Sequence, residues 1–318
     1  MPETLLSTRE VAAYLHINEK QVYRLIRNGT IPCTRVTGKW LFPQSLVEDW
    51  VKQNSLTQST IPHVAPPEAV QFGPERGLLI AGSNDLLLDT LTDLAGRRFP
   101  EHLFYTTNLG SFGGLEALKQ AKTHVALAHL LDPETGEYNA SFVSQAGRPD
   151  LVAVTLWHRR LGLIARPGSR PVRSLAELPR KKKRLVNRQA GSGVRWFIDQ
   201  QLRQARIKPE WITGYEVEAR THWEVGLLVL QGRADVGVAV QSVAELLGLS
   251  FTEMVEERFD LLVSKELYFA KPVQALLDVV TSPELKERAA ALGGYEVREA
   301  GKVAFVTEQS HAGFRTSL

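Results

Sequence analysis

The sequence predicts an α/β protein in two parts: a small N-terminal domain over residues 1–56 and a larger strand–helix domain over residues 77–318. Three observations predict it. Residues 1–56 space their apolar side chains at helical intervals, broken by turn residues and one short alternating stretch. Residues 57–76 hold four prolines among Ser, Thr and Gln with no apolar period, as a linker does. From Gly77 onward, short apolar runs alternate with amphipathic segments that open on Ser, Asn, Asp or Gly, the pattern of a mainly parallel sheet with right-handed crossovers.

Bulk properties bound the reading. The chain has 318 residues, 43% hydrophobic and 23% charged, which is ordinary globular composition. One cysteine, Cys33, excludes a disulfide framework and any multi-cysteine metal site. No apolar run reaches the ~18 residues of a membrane span. The start, MPETLLSTRE, lacks the basic and apolar regions of a signal peptide, so a reducing cytoplasm is expected. The net charge of +3 is small, but residues 1–56 concentrate Lys20, Arg24, Arg27, Arg35 and Lys39 with no acid between Glu19 and Glu48.

In the first segment, Ser7 followed three residues later by Glu10 is a capping signal, and Val11, Ala12 and Leu15 give one apolar face. After a short turn, Asn18 caps a second helix, Glu19 to Arg27, with Val22, Leu25 and Ile26 inward. Asn28-Gly29 stops it. An alternating stretch from Ile31, turning at Thr37-Gly38 and returning through Phe42, reads as a hairpin, and Pro43 starts a third helix with Leu46, Val47 and Trp50 inward. Helix, tight turn, helix, hairpin, helix is a winged helix-turn-helix, whose second helix would enter a major groove. Gln21 and Arg24 are placed to meet base edges, and Lys20, Arg27, Arg35 and Lys39 to meet phosphates. Thr8, Arg9 and Tyr23 complete the expected contact set. The run STREVAAYL, then QVYRLIRNG, IP and RVTGKWLF, resembles the excisionase-like branch of MerR-type DNA-binding domains over nearly all of residues 5–54. That resemblance implies binding of a double-stranded DNA operator by the second helix and the wing.

In the second segment, GLLIAG, HLFYTTNLG and HVALAHLLD read as strands, with helices opening at Ser83-Asn84-Asp85 and at Ser111-Phe112-Gly113-Gly114. Residues 152–166 read as a strand leaving this first lobe. A short helix over 172–180 is expected to end at Pro179, and the basic run 180–184 reads as a solvated turn, with a raised positive potential over the site or a contact with DNA as the alternatives. Asn187 to Trp196, NRQAGSGVRW, is the most informative stretch. Gly191 and Gly193 allow a tight approach, Ser192 adds a hydroxyl, and Arg188 and Arg195 add charge at a helix start, a ready anion site. Thr221 opens a further helix, residues 233–240 form a strand, and from Arg258 the chain returns to the first lobe, ending in helices 271–280 and 283–292. Lobe 1 is expected over about 77–155 and 255–318, and lobe 2 over about 156–254.

Residues 77–300 resemble a type II periplasmic-binding-protein fold, and look like the cytoplasmic version fused to excisionase-type domains. More distantly they are similar to molybdate and tungstate binders. The resemblance implies two hinged lobes gripping an oxyanion with hydroxyls and amides at helix starts. Carried over, the ligand-binding set is Ser83, Asn84 and Ser111 in one lobe, and Arg188, Ser192, Gly193, Arg195 and Thr221 in the other. Asp85 and Asp132 lie near the same rim and would repel an anion unless they cap helices. His129 with Asp132 lacks enough further ligands for a metal and reads as a structural histidine.

Three functions are weighed. The first is a ligand-responsive transcription regulator, a homodimer with no cofactor or metal, sensing molybdate or tungstate, or else a pterin or molybdenum-cofactor type molecule. The second is an enzyme using Ser192 with His129, His158 or His222. The stretch GSG is not the G-x-S-x-G elbow, and no P-loop or dinucleotide fingerprint is present, so no catalytic residue is assigned. The third is an excisionase-like recombination or architectural protein, which would need no large second module.

Overall fold

The structure, a computed structural model, describes residues 4–36, 38–54, 73–148 and 150–307. It divides into two compact units, Met1–Gln71 and Phe72–Leu318. Of the linker expected over 57–76, residues 57–72 lie outside the described residues, as do residues 55 and 56 and Thr37 of the expected hairpin turn.

In the first unit, β1 (Leu5–Ser7) runs into α1 (Thr8–Tyr14). The Ser7 hydroxyl accepts from the Glu10 amide at 3.3 Å and the Glu10 carboxylate accepts from the Ser7 amide at 2.7 Å, so two otherwise orphaned donors are satisfied reciprocally. Asn18 and Gln21 repeat this device at the start of α2 (Glu19–Arg27). Gly29, at φ 64°, ends α2 in a conformation that side chains resist. Then come β2 (Thr34–Val36), β3 (Lys39–Pro43) and α3 (Gln44–Asn54). The antiparallel sheet has the order β1-β3-β2, so the expected hairpin gains a third strand. Val11, Ala12, Val22, Ile31, Phe42 and Val47 form the core. Leu46, expected inward, is exposed, and Trp50 is half-buried.

The second unit begins β4 (Gly77–Gly82), α4 (Leu86–Arg98), β5 (Leu103–Asn108), α5 (Gly110–Lys119), β6 (Val125–Ala128) and α6 (Ala140–Gln145). The long β7 (Leu151–Ala165) crosses to a second lobe of α7 (Leu178–Lys181), β8 (Leu185–Arg188), α8 (Gly193–Gln204), β9 (Glu218–Ala219), α9 (His222–Leu230), β10 (Val236–Val240) and α10 (Gln241–Leu246). An equally long β11 (Ser250–Ser264) crosses back to α11 (Lys265–Tyr268), α12 (Lys271–Val280), α13 (Pro283–Leu292), β12 (Tyr295–Glu296) and β13 (Val303–Val306).

One sheet serves both lobes, in the order β5-β4-β6-β11-β7-β10-β8-β9, with β12 and β13 also paired to β7. β4, β5 and β6 are parallel, as are β10, β8 and β9, while β7 and β11 pair antiparallel along nearly their whole length. The first half of β7 packs Val152, Val154, Leu156 and Trp157 into the first lobe's core, with Leu78, Leu91 and Leu276. Its second half packs Leu161, Leu163 and Ile164 into the other core, with Val186, Val225 and Val238. Among the described residues no helix is long and apolar enough to cross a membrane.

Three expectations change. Pro179 stands in the first turn of α7 rather than ending a helix, where its missing N–H costs nothing, and a 3-10 turn at Leu175–Glu177 precedes it. The strand expected over 233–240 starts at Val236, because Asp235 is spent holding the Arg184 amide. β11 starts at Ser250, well before Arg258. Its first half, SFTEMVEE, lies largely outside the core and so lacks an apolar pattern.

Candidate functional site

Four helix starts converge where β7 and β11 cross. Arg159 is inward-facing on β7, between Trp157 and Leu161, and its register partner on β11 is Glu257. Its Nε donates to Glu257 Oε1 at 2.7 Å, and its Nη1 binds Asp85, the residue that caps α4 by accepting from the Leu87 amide at 2.8 Å. The Arg159 guanidinium also lies 4.6 Å from the Phe259 ring centroid. The Tyr295 hydroxyl donates to the other Asp85 oxygen at 2.9 Å. Burial disfavours the Glu257 charge, but His129 and Arg159 overcome it and hold its carboxyl at about 2. His129 Nδ1 lies 3.0 Å from Glu257 Oε2, and burial lowers the imidazole's proton affinity despite the carboxylate. An ionised carboxylate only accepts, so the neutral ring carries its proton on Nδ1.

The Ser83 and Ser111 hydroxyls lie 2.8 Å apart, and Ser111 Oγ accepts from the His129 amide at 3.3 Å. Both are buried, and Asn84 beside Ser83 is half-buried. The second lobe abuts them. A Cβ on Gly193 would stand 2.7 Å from His129 Cε1 and 3.0 Å from Ser111 Oγ, so only glycine permits this approach. Gly110, at φ 73°, likewise faces the Gly191 carbonyl, which accepts from the Phe112 amide at 3.2 Å. Asn108 Nδ2 donates to the Arg220 carbonyl at 2.9 Å, and Trp196 Nε1 to the Leu131 carbonyl at 3.0 Å. The lobes are closed on one another.

Arg188, at the inner end of β8, is 3% exposed. Its Nε reaches the Ala219 carbonyl at 3.3 Å and its Nη2 the Arg220 carbonyl at 3.0 Å. Its Nη1 is buried with no hydrogen-bond partner, as is Nδ1 of His222, the first residue of α9. Burial, reinforced by Arg159, brings the Arg188 guanidinium down to about 10. Burial and the neighbouring Arg188 hold His222 well below the ordinary histidine range, so it is neutral. A buried N–H without an acceptor costs about 1–3 kcal/mol, so the Arg188 guanidinium calls for a guest that accepts. Asp85 and Glu257 both pair with the single Arg159, which offsets one of the two carboxylates within the protein.

The remaining expected ligand residues sit differently. The Ser192 hydroxyl caps α8, accepting from the Arg195 amide at 3.1 Å, and the Thr221 hydroxyl caps α9, accepting from the Glu224 amide at 3.0 Å. Arg195 is turned aside: it pairs with Glu218 at 2.9 Å and Asp199 at 3.3 Å, over the Tyr215 ring. Its charge is matched locally and adds nothing uncompensated to the cleft. Asp132 closes an exposed turn by accepting from the Glu134 amide. Among the described residues no group of three His, Cys, Asp or Glu is arranged to hold a metal. The residues missed were Arg159, Glu257 and the Nδ1 of His222. The two-residue period of β7 carried the signal for Arg159, since 157, 159 and 161 share one face.

In the first unit, Lys20, Tyr23, Arg24 and Arg27 stand on the exposed face of α2, and Arg9, Arg35 and Lys39 are exposed, with Arg35 lying 5.4 Å from the Trp40 ring. Thr8 is half-buried at the start of α1. Gln21 is exposed, but its carbonyl oxygen is occupied by the Asn18 amide, which leaves only its NH2 for a base edge.

Comparison with known proteins bears on both units. Residues 5–55 match a helix-turn-helix domain, and residues 75–281 match the PBP superfamily domain. The uncharacterized protein YvgK of Bacillus subtilis (strain 168) is 28% identical over 307 residues, spanning 94% of this chain and 97% of that protein. By structure, the chain is similar to a Clostridium perfringens protein described as a phosphate ABC transporter substrate-binding protein with bound phosphate. The TM-score is 0.54 at 16% identity, covering 69% of this chain and 98% of that one. An OxyR variant of Corynebacterium glutamicum with bound hydrogen peroxide gives a TM-score of 0.50 at 14% identity, covering 90% of this chain and 89% of that one.

Proposed function

Because this chain belongs to the PBP superfamily and carries a helix-turn-helix domain ahead of that module, we propose that it is a DNA-binding transcription regulator, acting inside the cell, whose effector is a small oxyanion held between the lobes. The observation that carries the effector class is Arg188: a buried guanidinium with one N–H pair unpartnered, beside an unpartnered imidazole nitrogen and among helix starts. Helix starts add partial positive charge and free amides, which suit an anion rather than a cation. The close approach of Gly193 to Ser111 and His129 favours a compact tetrahedral ion, molybdate or tungstate first, over a pterin-sized molecule. Phosphate, another tetrahedral ion, sits in the like-folded Clostridium perfringens protein. An acyl-transfer enzyme is disfavoured because Ser192 is spent as a helix cap, and Ser111 bonds to Ser83 and the His129 amide rather than to a base.

In this reading the ligand-binding set is Ser83, Asn84, Ser111, Arg188, Gly193 and His222. The DNA contacts are Lys20, Tyr23, Arg24 and Arg27 of α2, with Arg35 and Lys39 of the wing. A dimer would place two such helices on half-sites one turn apart, ~34 Å. Native mass spectrometry of the purified protein, with thermal shift against molybdate, tungstate, phosphate and sulfate, tests the effector. A site for one ion stabilises the fold by about 2.7 kcal/mol at a hundredfold excess over Kd. No retained ion and no shift with any oxyanion overturns the effector assignment, and no binding to duplex DNA overturns the regulator.

A further inference from the structure

We propose that the end of the second lobe away from the cleft is a second contact surface for duplex DNA, which holds backbone phosphates. The proposal rests on the preceding reading that the chain binds DNA. Residues 156–254 carry seventeen Lys/Arg against nine Asp/Glu, a net +8 where the whole chain is only +3. Much of the excess gathers where β7 ends and β8 and β10 begin. Arg184 Nη2 donates to the Gly232 carbonyl at 2.8 Å, and Arg166 Nη1 donates to the Val229 carbonyl at 3.3 Å, so both pack on the turn that carries Arg233. Lys182, at φ 50°, ends α7 beside Lys183.

Acids do not cancel this surface. Glu177 takes Lys181, and Asp235 takes Arg184. Arg180, Lys182, Lys183 and Arg233 have no carboxylate within ion-pair distance among the described residues, and all but Lys183 are exposed. Crowded like charges repel within a screening length of ~10 Å, and a polyanion relieves that repulsion. B-DNA offers one phosphate charge per ~1.7 Å of axis. The surface is also free of the effector. β8 runs from Leu185 at this end to Arg188 in the cleft, three residue steps or ~10 Å, so a duplex here leaves the closed lobes untouched. A helix-turn-helix on the same chain holds duplex DNA at high effective concentration, so a few phosphate contacts suffice.

The test uses the full chain and a mixed-sequence duplex of about four helical turns. Affinity is measured against salt for the wild type, for a Lys182→Gln, Lys183→Gln, Arg233→Gln variant, and for a control changed at Arg27→Gln. The expected result is that the slope of log K against log salt falls by about 2.7 for the three removed contacts. Lys182→Arg with Lys183→Arg should bind as the wild type, which separates charge from folding. An unchanged slope in the triple variant, with the Arg27 control weakened, overturns this surface while leaving the regulator reading intact. No binding by the wild type removes both. A triple variant with unchanged DNA affinity that loses binding to single-stranded RNA or to a polyglutamate peptide also overturns it.

Discussion

Replacing Arg188 gives the most direct test of the cleft. Two of its three nitrogens are held by the Ala219 and Arg220 carbonyls, so only Nη1 is left for a guest. Removing one charge-assisted hydrogen bond costs about 2 kcal/mol, roughly thirtyfold in Kd. At an oxyanion concentration a hundred times the wild-type Kd, stabilisation should fall from about 2.7 to about 0.9 kcal/mol in Arg188→Met. For a unit of this size that reduces the thermal shift from about 5–10 °C to about 2–4 °C. The measurement is differential scanning fluorimetry with molybdate and phosphate, paired with isothermal titration. Arg188→Lys keeps the charge but cannot hold both carbonyls and present a third donor, so it should fall between the two. The two apo proteins should bind DNA alike. If Arg188→Met binds every oxyanion within threefold of the wild type, the guanidinium is structural and the cleft assignment fails.

Three further outcomes follow from the geometry. Gly193→Ala places a methyl against His129 and Ser111 without a forbidden φ, so the closed contact between the lobes should be lost and oxyanion stabilisation with it; a preserved shift would show that the lobes need not meet there. Glu257 has its carboxyl lowered from 4.5 to about 2, so its contribution to stability is complete above pH 4.5 and is lost as pH falls toward 2. Denaturant midpoints across that window should decline more steeply in the wild type than in Glu257→Gln, and parallel curves would contradict the ionised pair. Arg24→Ala should cost about 1–3 kcal/mol at one base position of the preferred DNA sequence; a uniform loss across sequences, read by fluorescence anisotropy, would reassign Arg24 to phosphate contact.

What could be read from the sequence follows the range of the interactions involved. Caps were legible where both partners lie within three residues, as for Ser7 with Glu10 and Asn18 with the Gln21 amide; Ser192 follows the same rule with the Arg195 amide but was taken for a ligand hydroxyl. Strand–helix alternation was legible because each element carries its own period. The third strand of the winged unit was not, since Leu5–Ser7 is too short for a period and acquires its identity from Leu41–Pro43. The fate of Arg195 depended on Glu218, and the role of Arg159 on Glu257 across the crossing strands. No local rule distinguishes an arginine offered to a ligand from one already matched by a carboxylate. Ser83 and Ser111 were singled out because each stands near a helix start after a strand, although their mutual contact was not foreseeable.

The path of the backbone through its two lobes carries one more consequence. Strand β4, next after the tether, and strand β13, at the described end, both belong to the first lobe. The second is therefore an excursion, spliced in by β7 and β11 alone. Any rotation of the second lobe against the first therefore turns on these two strands, while both described ends of the module stay in one body.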